Sequence, residues 1–415
     1  MICSFEKLIL IYDDQKLTDG QIMQKIFIYL SLLLLIQCGK DLSPYGGAPE
    51  VSSLPLRQKP EWPTDGWKET KPETVGVSGD KLKLVDEYAF QRTGDDTDRK
   101  GRRTDAVVII RNGKIIYERY ARNFDKDKLH LTWSVSKSIL QAMYGIAIKN
   151  DVLKLDDPGY YHFDTLGKDE AHKKITIRHL LNMSSGLDAE EGYESGPLKS
   201  SVIAMLYTRG RKDMGTYCSG LPLRAEPGTQ VYYSSCDTNI LSAILKNVYG
   251  KDEYNDLPFK QLFAPLGIKN ATFEQDASGT FVGSSYLYLT ARDLAKIGYL
   301  YLNDGVWEGN RLLPESWVNF TMTPSPAYKT TSYYEDLPKD NYTSHWYANT
   351  GIPERGVPEA WPDAPKDTFA ALGHWGQSMY VIPSLDMIIV RYGDDREKMF
   401  IKNDFLKLIK ESVIR

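Results

Sequence analysis

The chain has 415 residues, of which 42% are apolar, 26% charged and 12% aromatic. This is the composition of a globular protein with one large or two modest cores, and it excludes collagen-like, disordered and coiled-coil chains. Fifty-one Lys plus Arg against 55 Asp plus Glu leave a formal charge of −4 without a dominant basic block, so nothing asks for nucleic acid as a partner. Four cysteines and six histidines are too few for a disulfide scaffold, and without an HExxH or paired CxxC they suggest no metal site. A mechanism with neither metal nor organic cofactor is the expectation.

Residues 26–36 (IFIYLSLLLLI) form an uninterrupted apolar run after Met23 and Lys25. The run is too short to span a bilayer as a helix, which needs about 20 residues, and a charged start followed by a short apolar core reads as a secretory signal peptide. Translation from Met23 fits this reading better than from Met1. Residues 39–77 carry repeated prolines and little periodicity, which predicts a tether. The domain is expected over residues 78–415.

Ser78 opens an apolar-periodic stretch and reads as a helix N-cap. Residues 105–120 (DAVVIIRNGKIIYERY) are two β-rich runs joined at Asn112-Gly113, a strong hairpin signal. A second hairpin is expected where Met379 to Ile382 and Met387 to Tyr392 flank Pro383, and residues 402–414 read as a closing amphipathic helix. Helical patterns dominate between, at residues 175–181, 238–248 and 291–302. Strands at both ends with helices in the middle predict an α/β (α+β) fold: one antiparallel sheet from both chain ends, flanked by helices, with a helical insertion at about residues 150–275.

Ser134 and Lys137 stand one turn apart at the start of a run, residues 139–148, that is apolar nearly all round and so predicted to be buried. Burial lowers a lysine pKa, and a neutral amine can take a serine proton. S-x-x-K alone is a weak signal, and a surface helix is the bland reading of it.

Further segments supply context. Ser134-x-x-Lys137, then Tyr233-Ser234-Ser235, then His374-Trp375-Gly376 just before a terminal hairpin strand, follow in the order and spacing of the serine β-lactamase and penicillin-binding-protein superfamily. The chain resembles its branch of class C β-lactamases, family VIII esterases and 6-aminohexanoate-dimer hydrolases, over about residues 78–412. The resemblance implies that Ser134 is acylated, that Lys137 and Tyr233 move its proton, and that the backbone N–H groups of Ser134 and Gln377 form the oxyanion hole. Ser235, His374, Trp375, Gly376 and Trp133 are the expected substrate-binding residues. A neighbouring ammonium is expected to favour the Tyr233 phenolate, and Gly376 to let substrate approach the backbone. Tyr232 is the competitor of Tyr233 in a shifted register.

Leu35-Ile36-Gln37-Cys38 resembles a bacterial lipobox, which implies lipidation at Cys38, membrane attachment through that lipid, and a place in the cell envelope; a signal anchor or ordinary secretion is the alternative. Cys218 and Cys236 can pair in an exported protein, with two buried thiols as the other reading. Trp133, Trp346 and Trp375 could wall an aromatic pocket. His374 in place of the K-T-G lysine and Ser235 in place of the Y-x-N asparagine argue against an efficient β-lactamase and toward ester or amide hydrolysis of less anionic substrates, with a small-molecule ester or amide or a peptide as the expected partner. A D-alanyl-D-alanine carboxypeptidase, a class C-like β-lactamase and a catalytically silent envelope-binding lipoprotein are the rival readings. Nothing in the sequence indicates the oligomeric state.

Overall fold

The computed structural model describes residues 61–414 except 92, 93, 95, 96, 98, 194, 195, 332–340 and 398. The expected signal segment, Cys38 and most of the expected tether lie outside the described residues. Residues 61–77, the end of that stretch, pack on the domain instead. Trp67 is buried and donates its indole N–H to the Arg292 carbonyl at 2.9 Å, and Trp62 packs against Tyr299 and Trp307. The indoles give this proline-rich segment apolar surface to bury, which a free linker lacks.

The central sheet has seven strands: β1 (Lys68–Glu69), β2 (Thr104–Arg111), β3 (Lys114–Tyr120), β4 (Tyr347–Ala348), β5 (Phe369–Gly373), β6 (Gln377–Ile382) and β7 (Met387–Gly393). Their spatial order is β1-β3-β2-β7-β6-β5-β4, antiparallel throughout except for the β1/β3 pair. The two hairpins read from the sequence are therefore joined edge to edge, β2 against β7, so both chain ends build one sheet. Asn112 (φ 51°) and Gly113 (φ 73°) both take the left-handed conformation, as a two-residue hairpin turn matching the twist of its strands requires.

The five longest described helices are α1 (Gly79–Phe90), α2 (Val135–Lys149), α3 (Ser235–Tyr249), α4 (Ala291–Leu302) and α5 (Lys402–Ser412). Ser78 caps α1 through a bond from the Lys81 N–H. Val107 and Ile109 of β2 join Leu82, Val85, Phe405 and Ile409 in one core under α1 and α5. Val108 and Ile110, also buried, point to the opposite face, because strand side chains alternate. There α4 lies close to the sheet: a Cβ on its Gly298 would meet Ile388 at 3.0 Å. α2 is buried at every position from Val135 to Ala147, in keeping with its all-round apolar sequence.

Candidate active site

Ser134 occupies the N-cap of α2 but its side chain accepts no capping bond, which leaves the hydroxyl for other partners. Its αR backbone and the Lys137 N–H to Ser134 carbonyl bond, 3.1 Å, tighten the first turn. Lys137 Nζ thereby reaches Ser134 Oγ at 3.0 Å, and it also donates to Ser235 Oγ at 3.1 Å and to the Ser284 carbonyl at 2.9 Å. All three acceptors are uncharged. Burial lowers the Lys137 pKa to about 8, and the nearby Glu191 carboxylate opposes that shift.

Tyr233, from the segment that leads into α3, closes the group. Ser134 and Tyr347 both act electrostatically on its hydroxyl, and its ring lies edge-on to Tyr342. Lys137 Nζ sits over the face of the Tyr233 ring, 4.9 Å from the centroid. The expected phenolate does not follow. Burial, reinforced by Tyr347 and Glu191, pushes the phenol well above its ordinary pKa, so it rests protonated. Tyr232 faces away, with its hydroxyl on Glu190 and its ring under the Arg224 guanidinium.

Ser134, Glu191, Tyr193, Tyr233, His374 and Gln377 line one cavity of about 750 Å³, together with Trp375 and Gly376. Ser235 is fully buried and does not line it; its hydroxyl instead links Lys137 to Glu191. Trp133 packs edge-on against Trp375 (5.2 Å) and His374 (5.5 Å), while Tyr193 stacks on His374 at 5.0 Å. Trp346, by contrast, is wholly buried against Tyr301 and Phe369 and belongs to the core. Trp133 (φ 48°) and Trp375 (φ 57°) both hold a backbone conformation that bulky residues avoid, and such strain gathers at functional sites.

What holds the His374-Trp375-Gly376 turn is an ion pair beneath it. Arg391, fully buried, binds Asp395 through two bonds of 2.7 and 3.0 Å and donates to the Gly376 carbonyl at 3.0 Å. Gly376 has φ 94°, and a Cβ there would lie 2.4 Å from both Arg391 Nη1 and Asp395 Oδ2. The ion pair at its back thus requires a glycine here, and Gly376 also lines the cavity. Gln377 adds to the brace, donating from its side chain to the His374 and Gly393 carbonyls. At the end of β5, a Cβ on Gly373 would meet the Thr132 carbonyl at 2.5 Å and Ser134 N at 3.2 Å, so this glycine lets the start of α2 lie against the end of β5, where Gly373 pairs with Gln377 of β6.

Glu191, Tyr193, Ser284 and Tyr347 were not legible from the sequence. Glu191 and Ser235 are 44 positions apart, and no spacing rule links a loop carboxylate to a helix-start serine. Cys218 and Cys236 are joined by a disulfide with their Cα atoms 5.2 Å apart, one residue from Ser235. No group of acidic, His or Cys residues able to hold a metal ion occurs among the described residues.

The beta-lactamase family model matches residues 87–404. A 6-aminohexanoate-dimer hydrolase of Paenarthrobacter ureafaciens is 27% identical over 296 residues, covering 69% of this chain and 72% of its own. Among solved structures, the fold matches EstCE1, a hydrolase with promiscuous acyltransferase activity (TM-score 0.61, 18% identity, 81% of this chain and 98% of that one). It also matches a penicillin-binding protein homologue from Caulobacter crescentus (TM-score 0.60, 14% identity, 81% and 99%). The chain belongs to the beta-lactamase family and is an enzyme of the serine hydrolase type.

Proposed function

We propose that Ser134 is the nucleophile and that the enzyme hydrolyses an ester or amide through an acyl-Ser134 intermediate. The observation that carries this reading is the 3.0 Å bond from Lys137 Nζ to Ser134 Oγ, made by an amine whose pKa burial has brought near neutrality. Lys137 takes the Ser134 proton as Oγ bonds to the carbonyl carbon. The negative charge on the carbonyl oxygen is met by the backbone N–H groups of Ser134 and Gln377. Tyr233, protonated at rest, gives its proton to the departing alcohol or amine as the acyl bond breaks, and the Lys137 ammonium restores that proton. Water then attacks the acyl-serine by the same route.

His374 and the aromatic rings of Tyr193 and Trp375 would hold the substrate, while Trp133, which does not line the cavity, backs His374 and Trp375. The lipobox-like run ending at Cys38 supports lipidation there and a place in the cell envelope, which loss of lipid labelling in Cys38→Ala would test.

A fluorophosphonate should label the wild type and fail on Ser134→Ala; equal labelling of both would overturn the assignment. In a panel of p-nitrophenyl esters, anilides, a D-alanyl-D-alanine peptide and nitrocefin, ester or amide turnover should dominate. Nitrocefin turnover matching that of the esters would sink the substrate preference.

A further inference from the structure

The catalytic cavity, at about 750 Å³, has room for a substrate much larger than the reacting bond. Beyond the residues already described, it is lined by Tyr347, Trp361, Leu372, Tyr380, Phe400 and Ile401. None of the six takes a step in the proposed reaction.

The sheet brings these side chains together. Tyr347 of β4 and Tyr380 of β6 both pair with Ala370 of β5, and Leu372 stands two residues further along β5, so all three point to one face. That face lies under α1 and α5, where Trp361, Leu372 and Tyr380 belong to the buried core and Tyr347 and Phe400 pack against it. The cavity therefore opens onto the margin of an apolar core, with Arg396, Glu397 and Lys402 as a polar border. Reciprocal bonds fix this wall in place. The Trp361 backbone N–H donates to Asn349 Oδ1 at 2.8 Å, and Asn349 Nδ2 donates to the Trp361 carbonyl at 2.9 Å. The Tyr88 hydroxyl donates to the Ile401 carbonyl and accepts from its N–H, both at 3.0 Å, while its ring packs edge-on against Phe400. Ile401 occupies the N-cap of α5, makes no capping bond and is 47% exposed. A polar side chain is preferred at that position, so the isoleucine forgoes a cap and offers apolar surface to the cavity.

The path of the proton says which part of a substrate meets this wall. Tyr233 is the donor to the departing group, and Tyr347, which acts on the Tyr233 hydroxyl, is itself part of the wall. We infer, on the acyl-Ser134 reading, that the wall seats the leaving group and that the leaving group is a bulky apolar or aromatic alcohol or amine. Burying such a group against a preformed apolar surface supplies binding without ordering the protein.

Binding is tested without turnover by titrating the wild type with 2-naphthylmethanol, the free alcohol, in a calorimeter. Saturation in the millimolar range is expected, with none for ethanol. Ile401→Asp supplies α5 with a cap, which favours folding, and sets a carboxylate against the wall. It should weaken binding by about fivefold. No saturation up to the solubility limit, or undiminished affinity in Ile401→Asp, overturns the proposal. In the kinetic arm, 2-naphthylmethyl acetate and ethyl 2-naphthylacetate are each compared with ethyl acetate. Enlarging the alcohol should raise kcat/KM by at least about tenfold, and this ratio should shrink in Ile401→Asp. A larger rise on enlarging the acyl group instead would overturn the leaving-group assignment. Hydrolysis of these esters by Ser134→Ala would sink the nucleophile and leave the calorimetric result standing, so the two failures are distinguishable.

Discussion

Glu191 holds both polar atoms of Ser235: Oε1 accepts from the hydroxyl at 2.5 Å and Oε2 from the backbone N–H at 2.9 Å. Since Ser235 Oγ in turn accepts from Lys137, a carboxylate is coupled to the base one residue removed from contact. Its charge raises the Lys137 pKa against the larger effect of burial.

Glu191→Gln keeps the shape and removes the charge, so the Lys137 pKa should fall further. The acid limb of kcat/KM, expected near pH 8 in the wild type, should move to lower pH. A pH–rate profile checks this. An unmoved limb would restrict Glu191 to holding Ser235.

Lys137 also leaves a mark on stability. Its folded pKa of about 8 lies below the ordinary 10.5, so between these values the unfolded chain carries the proton that the folded chain has lost. Stability from this group therefore rises with pH across that window. Relative to Lys137→Met, the wild type should gain roughly 3 kcal/mol between pH 7.5 and 10.5 in denaturant titrations. A constant difference would mean that the amine is not depressed.

Gly376→Ala should cost more than the conformational strain of a positive φ, because its Cβ meets the Arg391–Asp395 pair. Gly309, with φ 79° and nothing within 4 Å, is the control. Gly309→Ala should cost about 1 kcal/mol. Gly376→Ala should lose at least about 3 kcal/mol, with a fall in kcat as the Trp375 turn shifts. Equal costs at the two positions would deny the ion pair its bracing role.

Reducing the Cys218–Cys236 bond opens a loop of 18 positions, which corresponds to about 3 kcal/mol of stability. Because Cys236 adjoins Ser235, activity should fall under reductant before global unfolding. Parallel melting curves and ester assays with and without reductant check both effects, and a Cys218→Ser, Cys236→Ser variant should be insensitive to reductant.

Much of the scaffold was legible because its signals are local. Asn112-Gly113 makes a tight hairpin wherever it falls between β-branched runs, and Ser78 caps a helix because its hydroxyl meets the N–H three residues on. Ser134 and Lys137 meet because one helical turn brings them together. A buried lysine with a lowered pKa followed from the apolar run behind it.

Tertiary structure decided what depends on distant segments meeting. It buried Ser235 between Lys137 and Glu191, kept Tyr233 protonated and placed Trp346 in the core, since desolvation and charge at a point are set by every element packed around it. It put the Arg391–Asp395 pair behind Gly376 and brought Arg99, Arg122 and Arg396 to one aspartate from segments far apart in the chain. Periodicity and spacing report what neighbours along the backbone can do. They carry no record of which remote charges share a wall.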